Sequence, residues 1–543
     1  METYDYIIVG GGSAGCVLAN RLSVDPGIKV LLIEAGGPDG HPLFHVPAGF
    51  AKMTRGIGSW GWHTVPQKHL GQRVLRYTQA RVLGGGSSIN AQLYTRGAPA
   101  DYDEWVSRDG AAGWSFAEVL PYFRRSENNQ RFANAFHAYG GPLGVSNPAS
   151  PLPICEAFFQ AGQELGIPFN PDFNGATQEG LGYYQLTQLA ARRLSAATGF
   201  LDREVRARTN LAISLRTRAL RVVIEGGRAC GVEIAEYGAP ATRVARAQRE
   251  VIVASGAIGS PKLLMHSGIG PADHLREVGV EVLHDLPGVG QNLSEHPIIG
   301  MVFRSSLKRT FLSHLRFDRA VLGMMQWYLT KTGPFATNAA PANIFFRTPN
   351  VNSARPDIQM ICSSVGLDAQ LWFPGVTAPP VHRFAIGPNL LHPLSRGWVK
   401  LRSSDPTAAP RIFFNMYSEK QDLDCMVEGV KRVREIYNSP PLGDLITGEI
   451  KPGEGIRTDA EIEDWVRRNS DINQHPVGTC RMGVDDQAVV DATLKVRGIE
   501  GLRVVDASVM PDEPGGNTNL PTIMIAEKGA DMIRGRPALA PIN

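Results

Sequence analysis

The sequence predicts an α/β protein with two lobes, one built on a parallel sheet and the other inserted into it. A chain of 543 residues is too long for one simple hydrophobic core and favours two or more lobes. Strand–turn–helix units, which build parallel sheets, occur near Tyr6 and again near Val251. Between about 307 and 467 the chain has longer helices, alternating strands and many prolines. This change of character indicates the inserted lobe.

The first unit is a strand, a glycine-rich turn and a helix. Residues 6–9 are apolar and largely β-branched, as in strands buried on both faces. A G-x-G-x-x-G pattern follows, and then helical spacing over 13–22 that starts at Ser13 and Ala14. These glycines permit a tight turn, close approach of backbone to a diphosphate and close packing of helix on strand. They are Gly10, Gly12 and Gly15.

A second strand, 29–33, ends in Glu34 and Ala35. Glu34 lies about 20 residues beyond the glycines, where dinucleotide-binding proteins place the acid that holds a ribose hydroxyl pair. An acid there favours a nucleotide with a free 2′-hydroxyl. We therefore predict a dinucleotide site in this unit.

The next informative stretch is 80–97, ARVLGGGSSINAQLYTRG. Its consecutive glycines let backbone approach a flat ligand, and Ser87, Ser88 and Asn90 offer small polar groups to bond it. Helices are then expected at 101–107, 116–125 and 154–166, and a pair of strands at 210–224 and 231–237.

A second strand–turn–helix unit, 249–270, returns the chain to the first sheet. The strand is 249–254, and we expect Ser260 to cap a helix that Pro261 begins. The inserted lobe follows, with helices at 319–329 and 422–437 and strands at 357–363 and 397–401. The tail then returns to the first lobe through a strand at 502–506 and a helix at 521–534.

Overall composition gives no support to several classes of protein. A net charge of +3 is too small over this length to argue for nucleic acid or an anionic surface. No run of about 18 apolar residues could span a bilayer, and we interpret the apolar helix 319–329 as a core helix. The strand that starts at Tyr4 leaves no room for a signal peptide. Six cysteines without ligand spacing predict neither disulfides nor a structural metal, in a cytoplasmic protein.

Taken together, these motifs resemble the glucose–methanol–choline (GMC) oxidoreductases, which are FAD-dependent enzymes. The resemblance covers essentially the whole chain. Beyond the first unit it rests on five ordered stretches, 80–90, 256–270, 288–293, 475–483 and 505–522. After 288–293 the chain has Ser294-Glu295-His296 where the family usually has a polar residue, Asp and His. The chain is most similar to bacterial dehydrogenases of L-sorbose, polyethylene glycol and aliphatic alcohols, with 41–54 and 169–180 resembling the sorbose enzymes.

The resemblance implies a Rossmann-like FAD-binding domain and a substrate domain built on an antiparallel sheet with helices. Their expected division along the chain is as follows. The FAD-binding domain takes 1–155, 206–306 and 468–543, the last carrying the catalytic residues, and the substrate domain takes 156–205 in the main and 307–467.

Two catalytic residues follow from the resemblance. His475, in an HPVG turn, matches the family's catalytic histidine, and an imidazole is suited to accept a hydroxyl proton near neutrality. Asn519 matches the second position, His or Asn in relatives. An amide cannot act as a base, but it can donate to a developing alkoxide. Pro521 would then begin the last helix, whose N-terminus could stabilise negative charge.

The expected FAD contacts are spread over the motifs. The resemblance implies FAD without a covalent bond, because some relatives join it to a histidine in the first signature, and here that stretch ends in Asn90 and holds no histidine. No metal is expected. The contacts are Gly10, Gly12, Ser13, Ala14, Gly15, Glu34, Ala35, Arg81, Gly84, Gly85, Ser88, Asn90, Ala91, Leu220, Ser255, Gly256, Asp506, Ala507, Asn517, Pro521 and Thr522.

The implied activity is oxidation of a neutral, primary alcohol, polyol-like or aromatic, with electrons passed to a quinone or another non-oxygen acceptor. An oxidase that reduces O₂ to peroxide and a lyase that cleaves cyanohydrins share the scaffold and stay open, as does the oligomeric state. No charged constellation stands out to capture a quaternary ammonium. Candidate substrate-lining residues are Trp327, Phe335, Asn338, Trp372, Phe373 and His392.

Overall fold

The computed structural model describes residues 2–50, 56–149, 153–239, 241–307, 310–349, 355–363, 365–366 and 368–542. Residues 51–54 of the sorbose-like stretch therefore lie outside the described residues. The fold is the predicted α/β architecture with two large sheets, and the α/β fold class is confirmed.

The first sheet is built around buried parallel strands. Val30–Ile33 is buried at every residue, as expected of a strand covered on both faces. The parallel strands lie in the order Leu211–Ser214, Val30–Ile33, Thr3–Val9, Thr242–Val253 and Leu502–Val504. Two antiparallel strands, Arg228–Glu236 and Thr217–Glu225, extend the sheet beyond the first half of Thr242–Val253.

The strand predicted at 210–224 is in fact two strands with different partners. Leu211–Ser214 pairs in parallel with Val30–Ile33, and Thr217–Glu225 belongs to the antiparallel pair. Arg216 between them has a φ of +53°, a left-handed conformation that ends one strand before the next begins.

Pro261 does not begin its helix, contrary to the prediction. The helix is Gly256–His266, with Ser255 at its N-cap and Pro261 inside it. A proline inside a helix leaves the carbonyl four residues earlier without its N–H partner. Here the Thr479 hydroxyl donates to that carbonyl, Ala257 O, at 2.5 Å. A side chain from a distant motif thus makes the proline tolerable.

The second sheet is antiparallel, as predicted for the inserted lobe. Its strands lie in the order Ile446–Lys451, Met301–Ser305, Arg383–Leu390, Ile358–Ser363, Ala342–Phe346 and Gly180–Tyr183. Pro297–Ile298 pairs with both Arg383–Leu390 and Asp471–Ile472. The sheet therefore takes in strands on the far side of the boundaries proposed at 306 and 467.

The remaining elements pack around these sheets. The helices are Ser13–Leu22, Pro99–Ser107, Phe116–Ser126, Pro153–Glu164, Ala196–Phe200, Arg203–Arg206, Ala272–Glu277, Phe317–Thr330, Lys420–Asn438, Asp459–Asn469 and Asn519–Ile533. Short strands are Trp62–His63, Arg76–Tyr77, Leu93–Tyr94, Glu127–Asn129, Leu143–Val145, Gln185–Leu186, Gln188–Leu189, Arg192–Arg193, Ile269–Gly270, His284–Asp285, Trp398–Lys400 and Arg411–Phe413.

The first and last helices, Ser13–Leu22 and Asn519–Ile533, pack directly against each other. Arg21 makes an ion pair of 2.7 Å with Glu527, whose side chain is fully buried. A second arginine, Arg125, approaches the same carboxylate at 2.7 Å. Because a buried charge requires partners, these contacts lock the tail of the chain onto its beginning.

Helix Phe317–Thr330 is only half a core helix. Trp327 and Ala320 on its inner face are buried, as predicted, but Leu322 is 65% exposed and Leu329 is 73% exposed. No helix in the described parts of the chain has the length and apolarity to cross a bilayer. Within the same residues, no disulfide joins any two of the six cysteines.

Candidate functional site

The predicted dinucleotide turn has the geometry that its glycines require. Gly10 has a φ of +112°, a conformation that favours glycine. A Cβ on Gly15 would overlap the carbonyl oxygen of Gly10, so the helix packs directly on the turn. At Gly12 a Cβ would meet only the Cα of Gly85, at 3.9 Å. The turn is closed towards the sheet and open in front of the helix.

The first signature lies directly against this turn. Gly84 N donates to Gly11 O at 2.7 Å, and a Cβ on Gly85 would come within 2.6 Å of Gly12 Cα. Ser88 is fully buried and donates to Leu83 O at 2.8 Å. The structure thus brings together two glycine loops that lie far apart in sequence.

The N-terminus of the first helix fits a diphosphate. No side chain caps the helix at Gly12, so its first N–H groups lack side-chain partners. Uncapped N–H groups and the helix dipole favour an anion at this end. Gly12, Ser13 and Ala14 are the residues that would hold it.

Glu34 lies beside the same turn. Its two carboxylate oxygens accept from Gly11 N at 2.8 Å and Gly36 N at 2.6 Å. Burial raises the pKa of Glu34 to about 7. The neighbouring residue Ala35 offers its carbonyl to Arg81 Nε at 3.2 Å. These contacts fix the acid at the end of its strand, where a ribose would lie.

Asp506 joins the second unit to the tail of the chain. Its carboxylate accepts from Gly256 N at 2.8 Å, from Ser260 Oγ at 2.5 Å and from the backbone and hydroxyl of Ser508. Ser255 donates to Val9 O at 2.9 Å. With four protein donors, the Asp506 carboxylate acts as a clamp, and Ala507 beside it remains partly exposed.

Asn90 is held by a buried arginine that the sequence did not single out. Arg193 Nη1 donates to Asn90 Oδ1 at 2.6 Å and to Ser87 O at 3.2 Å. Arg193 is 2% exposed, and its Nε and Nη2 have no partner among the described residues. Burial lowers its pKa to about 9. Leu220, another expected contact, lies at a register irregularity of its strand.

His475 is buried and held at both ring nitrogens. Its Nδ1 lies 3.1 Å from Nδ1 of His296, and its Nε2 lies 2.9 Å from Nδ2 of Asn517. Nε2 of His296 lies 2.8 Å from Leu391 O. A carbonyl only accepts, so His296 carries its proton there and accepts at Nδ1. Asn473 Nδ2 also lies 3.3 Å from His475 Nδ1, but the contact with His296 is shorter and the Nδ1 of His296 can only accept. His475 then donates from Nδ1, which leaves the lone pair on Nε2.

Two carboxylates surround this histidine pair. Glu295 accepts from the backbone N of His475 with both oxygens, at 2.8 and 3.0 Å, and burial raises its pKa to about 8. Glu513 Oε1 lies 3.2 Å from His296 Nδ1. Burial and the Glu295 charge raise the pKa of Glu513 well above its ordinary value. Burial lowers the pKa of His475 to about 4, so the site favours neutral groups.

His296, His475 and Glu513 also bring ligand-type atoms within 4.8 Å of one another. The hydrogen bonds to Leu391 and Asn517 give this group a role without a metal. Sequence reasoning noticed the stretch 294–296 but gave it no function. The signal available in the sequence was a histidine, His296, that closely follows the glycine loop 288–290.

The structure does not place Asn519 against His475. Asn519 Oδ1 accepts from Ser13 Oγ at 2.7 Å, which puts this side chain at the first helix. Asn517, expected only as an FAD contact, is the amide beside His475. The backbone N–H of Asn517 donates to Thr95 Oγ1 at 2.7 Å. The last helix begins at Asn519, with Pro521 and Thr522 in its first turn.

The candidate substrate-lining residues do not form one group. Asn338 is buried and donates to Ala91 O at 2.8 Å, beside the first signature. His392 lies 3.7 Å from Asp101. Trp327 and Phe335 share a small core cluster. Trp372 donates to Leu312 O at 3.2 Å, and Phe373 is 41% exposed, on the outer surface.

The comparisons with known proteins agree with this geometry. Residues 4–298 and 393–526 match the N-terminal and C-terminal models of the GMC oxidoreductases. The chain belongs to this family. It is 39% identical to an alcohol dehydrogenase [acceptor] of Pseudomonas putida (99% of this chain, 97% of that one). It is 41% identical to an oxygen-dependent choline dehydrogenase of Paraburkholderia xenovorans (99% and 96%).

Solved structures show the same fold. Pyridoxine 4-oxidase from Mesorbium loti superposes with a TM-score of 0.87 at 30% identity, over 98% of this chain and all of that one. A formate oxidase from Aspergillus oryzae gives 0.92 at 26% identity, over 98% of each chain. As a GMC oxidoreductase the protein binds FAD, and the open glycine cradle fits that cofactor.

The low pKa of His475 predicts the pH dependence of the GMC reaction. We expect His475 to be the base, and a base must be neutral to accept a proton. A pKa of about 4 keeps His475 neutral down to mildly acidic pH. We expect the rate of FAD reduction by an alcohol to fall to half only near pH 4. Anaerobic stopped-flow measurements across pH check this. A midpoint near the ordinary imidazole value of about 6.5 would contradict this prediction. It would show that the enzyme–substrate complex stabilises the imidazolium.

Replacing Asn517 and replacing Asn519 should have different effects on the rate of FAD reduction. Asn517→Ala removes an amide beside the lone pair of His475, and loss of such a donor costs about 10²–10³ in rate. Asn519→Ala removes a contact to Ser13 and should leave the reduction rate within about tenfold. Stopped-flow reduction of both variants tests this, and an equal loss in both would contradict it.

Proposed function

We propose that this protein oxidises a neutral, primary alcohol, polyol-like or aromatic, to the aldehyde, in the cytoplasm. FAD, held without a covalent bond, supplies the hydride acceptor, and the electrons pass to a quinone or another non-oxygen acceptor. The observation that carries the proposal is the lone pair of His475 Nε2, fixed in a buried site beside the Asn517 amide at 2.9 Å.

The chain's own residues would do the following. His475 Nε2 accepts the hydroxyl proton, and the Asn517 amide orients the substrate oxygen. Glu295 fixes the His475 backbone, and His296 fixes its tautomer. Burial keeps water out of the site, which strengthens each of these interactions.

Non-covalent FAD is supported by the first signature, in which no histidine lies between Gly84 and Asn90. The test is acid denaturation of the yellow protein. FAD should stay in the supernatant, and a yellow precipitate would contradict the proposal.

An oxidase is the second candidate, favoured by the likeness to pyridoxine 4-oxidase. It shares the proton-abstracting site and differs only in the acceptor. Peroxide formed for each aldehyde separates the two: little or none supports the dehydrogenase, and an equal amount establishes the oxidase.

The experiment for the main proposal is anaerobic titration of the purified protein with alcohols, one at a time, while the flavin absorption is recorded. The panel is sorbose, pyridoxine, benzyl alcohol, hydroxymethylfurfural, choline and a long-chain alkanol. Bleaching by a neutral primary alcohol supports the proposal. Bleaching by choline alone would contradict the neutral substrate, and bleaching by none would contradict alcohol oxidation.

A further inference from the structure

The outer face of helix Phe317–Thr330 is apolar and exposed. Leu322 is 65% exposed, Met325 is 55%, and Tyr328 and Leu329 are each 73% exposed. Its inner face is held by buried Ala320 and Trp327. The helix is therefore amphipathic with an additional apolar face towards solvent, which packing inside the chain does not explain.

The apolar surface extends beyond the helix. The ring of Phe317 stacks on that of Phe373, with centroids 4.9 Å apart, and Trp372 O accepts from Phe317 N at 2.9 Å. The adjoining loop exposes Leu371, Phe373 and Val376. We call this surface, residues 317–329 with 371–376, the apolar face.

The charges around the apolar face are unequal. Asp318 is paired with Arg316 at 2.6 Å, and Asp368 beyond the loop is paired with Arg383 at 2.7 Å. Arg319, by contrast, has no carboxylate within ion-pair distance among the described residues. The two carboxylates at the rim of the apolar face are thus each paired with an arginine, and the positive charge of Arg319 is left unpaired.

Lys331, at the end of the helix, adds positive charge to this rim. It too lacks a carboxylate partner within the described part of the chain, and its Nζ lies over the rings of Trp327 and Tyr328, at 4.6 and 5.2 Å. The same Nζ donates to the carbonyls of Tyr328, at 2.6 Å, and Trp327, at 3.3 Å. The rings and carbonyls therefore hold the ammonium charge at the edge of the apolar face.

We propose that the apolar face docks the protein on a lipid bilayer that contains anionic lipids. Aliphatic and aromatic side chains on one face of a helix, flanked by Lys and Arg, are the features of helices that lie in the plane of a membrane interface. A second copy fits less well, because a two-fold dimer through this face would bring its unpaired positive charges together. Binding is peripheral, since no described helix could span the bilayer.

Two hydrogen bonds connect the helix of the apolar face to the first signature, one of the predicted cofactor loops. Trp327 Nε1 donates to Ala191 O at 2.8 Å, and Arg193, two residues on, donates to Asn90 at 2.6 Å. A protein docked here holds its first signature close to the membrane. A lipid-soluble quinone would then be within reach; this step, unlike docking itself, rests on the proposed function.

Flotation of the holoenzyme with vesicles tests the docking. Phosphatidylcholine vesicles with phosphatidylglycerol should carry the protein upward in a density gradient, and phosphatidylcholine alone should carry less. The double variant Leu322→Glu with Met325→Glu places two charges on exposed positions and should stay at the bottom. Val24→Glu with Val484→Glu, also exposed apolar positions, is the matched control and should float.

Three outcomes would overturn the proposal. The wild type stays at the bottom with both vesicles, or the double variant floats as well as the control. The third is a dimer by light scattering that the Leu322→Glu, Met325→Glu variant converts to monomer while vesicle binding is absent, which would make the face a contact between copies.

The quinone step has its own readout. The double variant should keep alcohol-dependent reduction of a water-soluble dye and lose most reduction of a quinone embedded in vesicles. If no alcohol reduces either acceptor, the proposed function fails, and flotation still decides the docking. If both variants reduce the embedded quinone equally, the link between docking and acceptor is wrong.

Discussion

Replacing His475 by alanine is expected to slow the reduction of FAD by alcohol by a factor of about 10²–10⁴. The variant loses the Nε2 lone pair that faces Asn517 at 2.9 Å. Glu295 bonds the backbone of residue 475, so the turn and the bound FAD should survive. Anaerobic stopped-flow absorption measures the rate, and the flavin spectrum of the purified variant measures its FAD content.

His63→Ala is the control for this prediction, because His63 is exposed and lies on a short strand far from His475 in sequence. It should reduce at the wild-type rate. A His475→Ala variant that holds FAD and reduces within about threefold of wild type would assign the proton acceptor to another group.

Replacing Gly85 by alanine should disrupt FAD binding. Gly85 has a φ of +54°, which costs a residue with a Cβ about 1–2 kcal/mol. The new Cβ would also come within 2.6 Å of Gly12 Cα, and both atoms belong to backbone that cannot rotate away. The two glycine loops must separate, so we expect the FAD dissociation constant to rise about tenfold or more.

The neighbouring substitution Gly86→Ala is a closely matched control. Gly86 is exposed, and a Cβ there meets nothing within 4 Å among the described residues. Fluorescence titration of the apoprotein with FAD compares the two variants. Equal affinities would mean that the contact between the loops does not shape the cofactor site.

The local elements that the structure confirms depend on local pattern. The glycine turn, the helix after it and the strand that ends beside Glu34 lie within 35 residues, and spacing and hydrophobic pattern are enough to recognise them. Two of the three motif glycines, Gly10 and Gly15, have a steric requirement that the structure shows.

The errors arose where a distant contact decides the outcome. Asn517 and Asn519 are chemically identical, and the start of the last helix at Asn519 determines which amide reaches His475. Pro261 lies inside its helix because Thr479, from another motif, supplies the missing donor. Spacing along the chain contains neither fact.

Helix Phe317–Thr330 shows a third limit. Its apolar residues outnumber those needed for one buried face, so sequence favoured a core helix. Periodicity identifies the helix but not which apolar face finds a partner in the same chain. Tyr328 and Leu329, each 73% exposed, face outward, and the proposed bilayer docking accounts for them.

The contacts between the first and last helices also bear on the order in which the protein is made. Ser13 bonds Asn519, and Arg21 pairs with Glu527, so the front of the FAD cradle is finished by a segment synthesised some 500 residues later. A ribosome-bound chain that still lacks this segment exposes the apolar side of its first helix. The cradle is therefore complete only after the tail has left the ribosome, and the unfinished lobe is the kind of surface that chaperones bind.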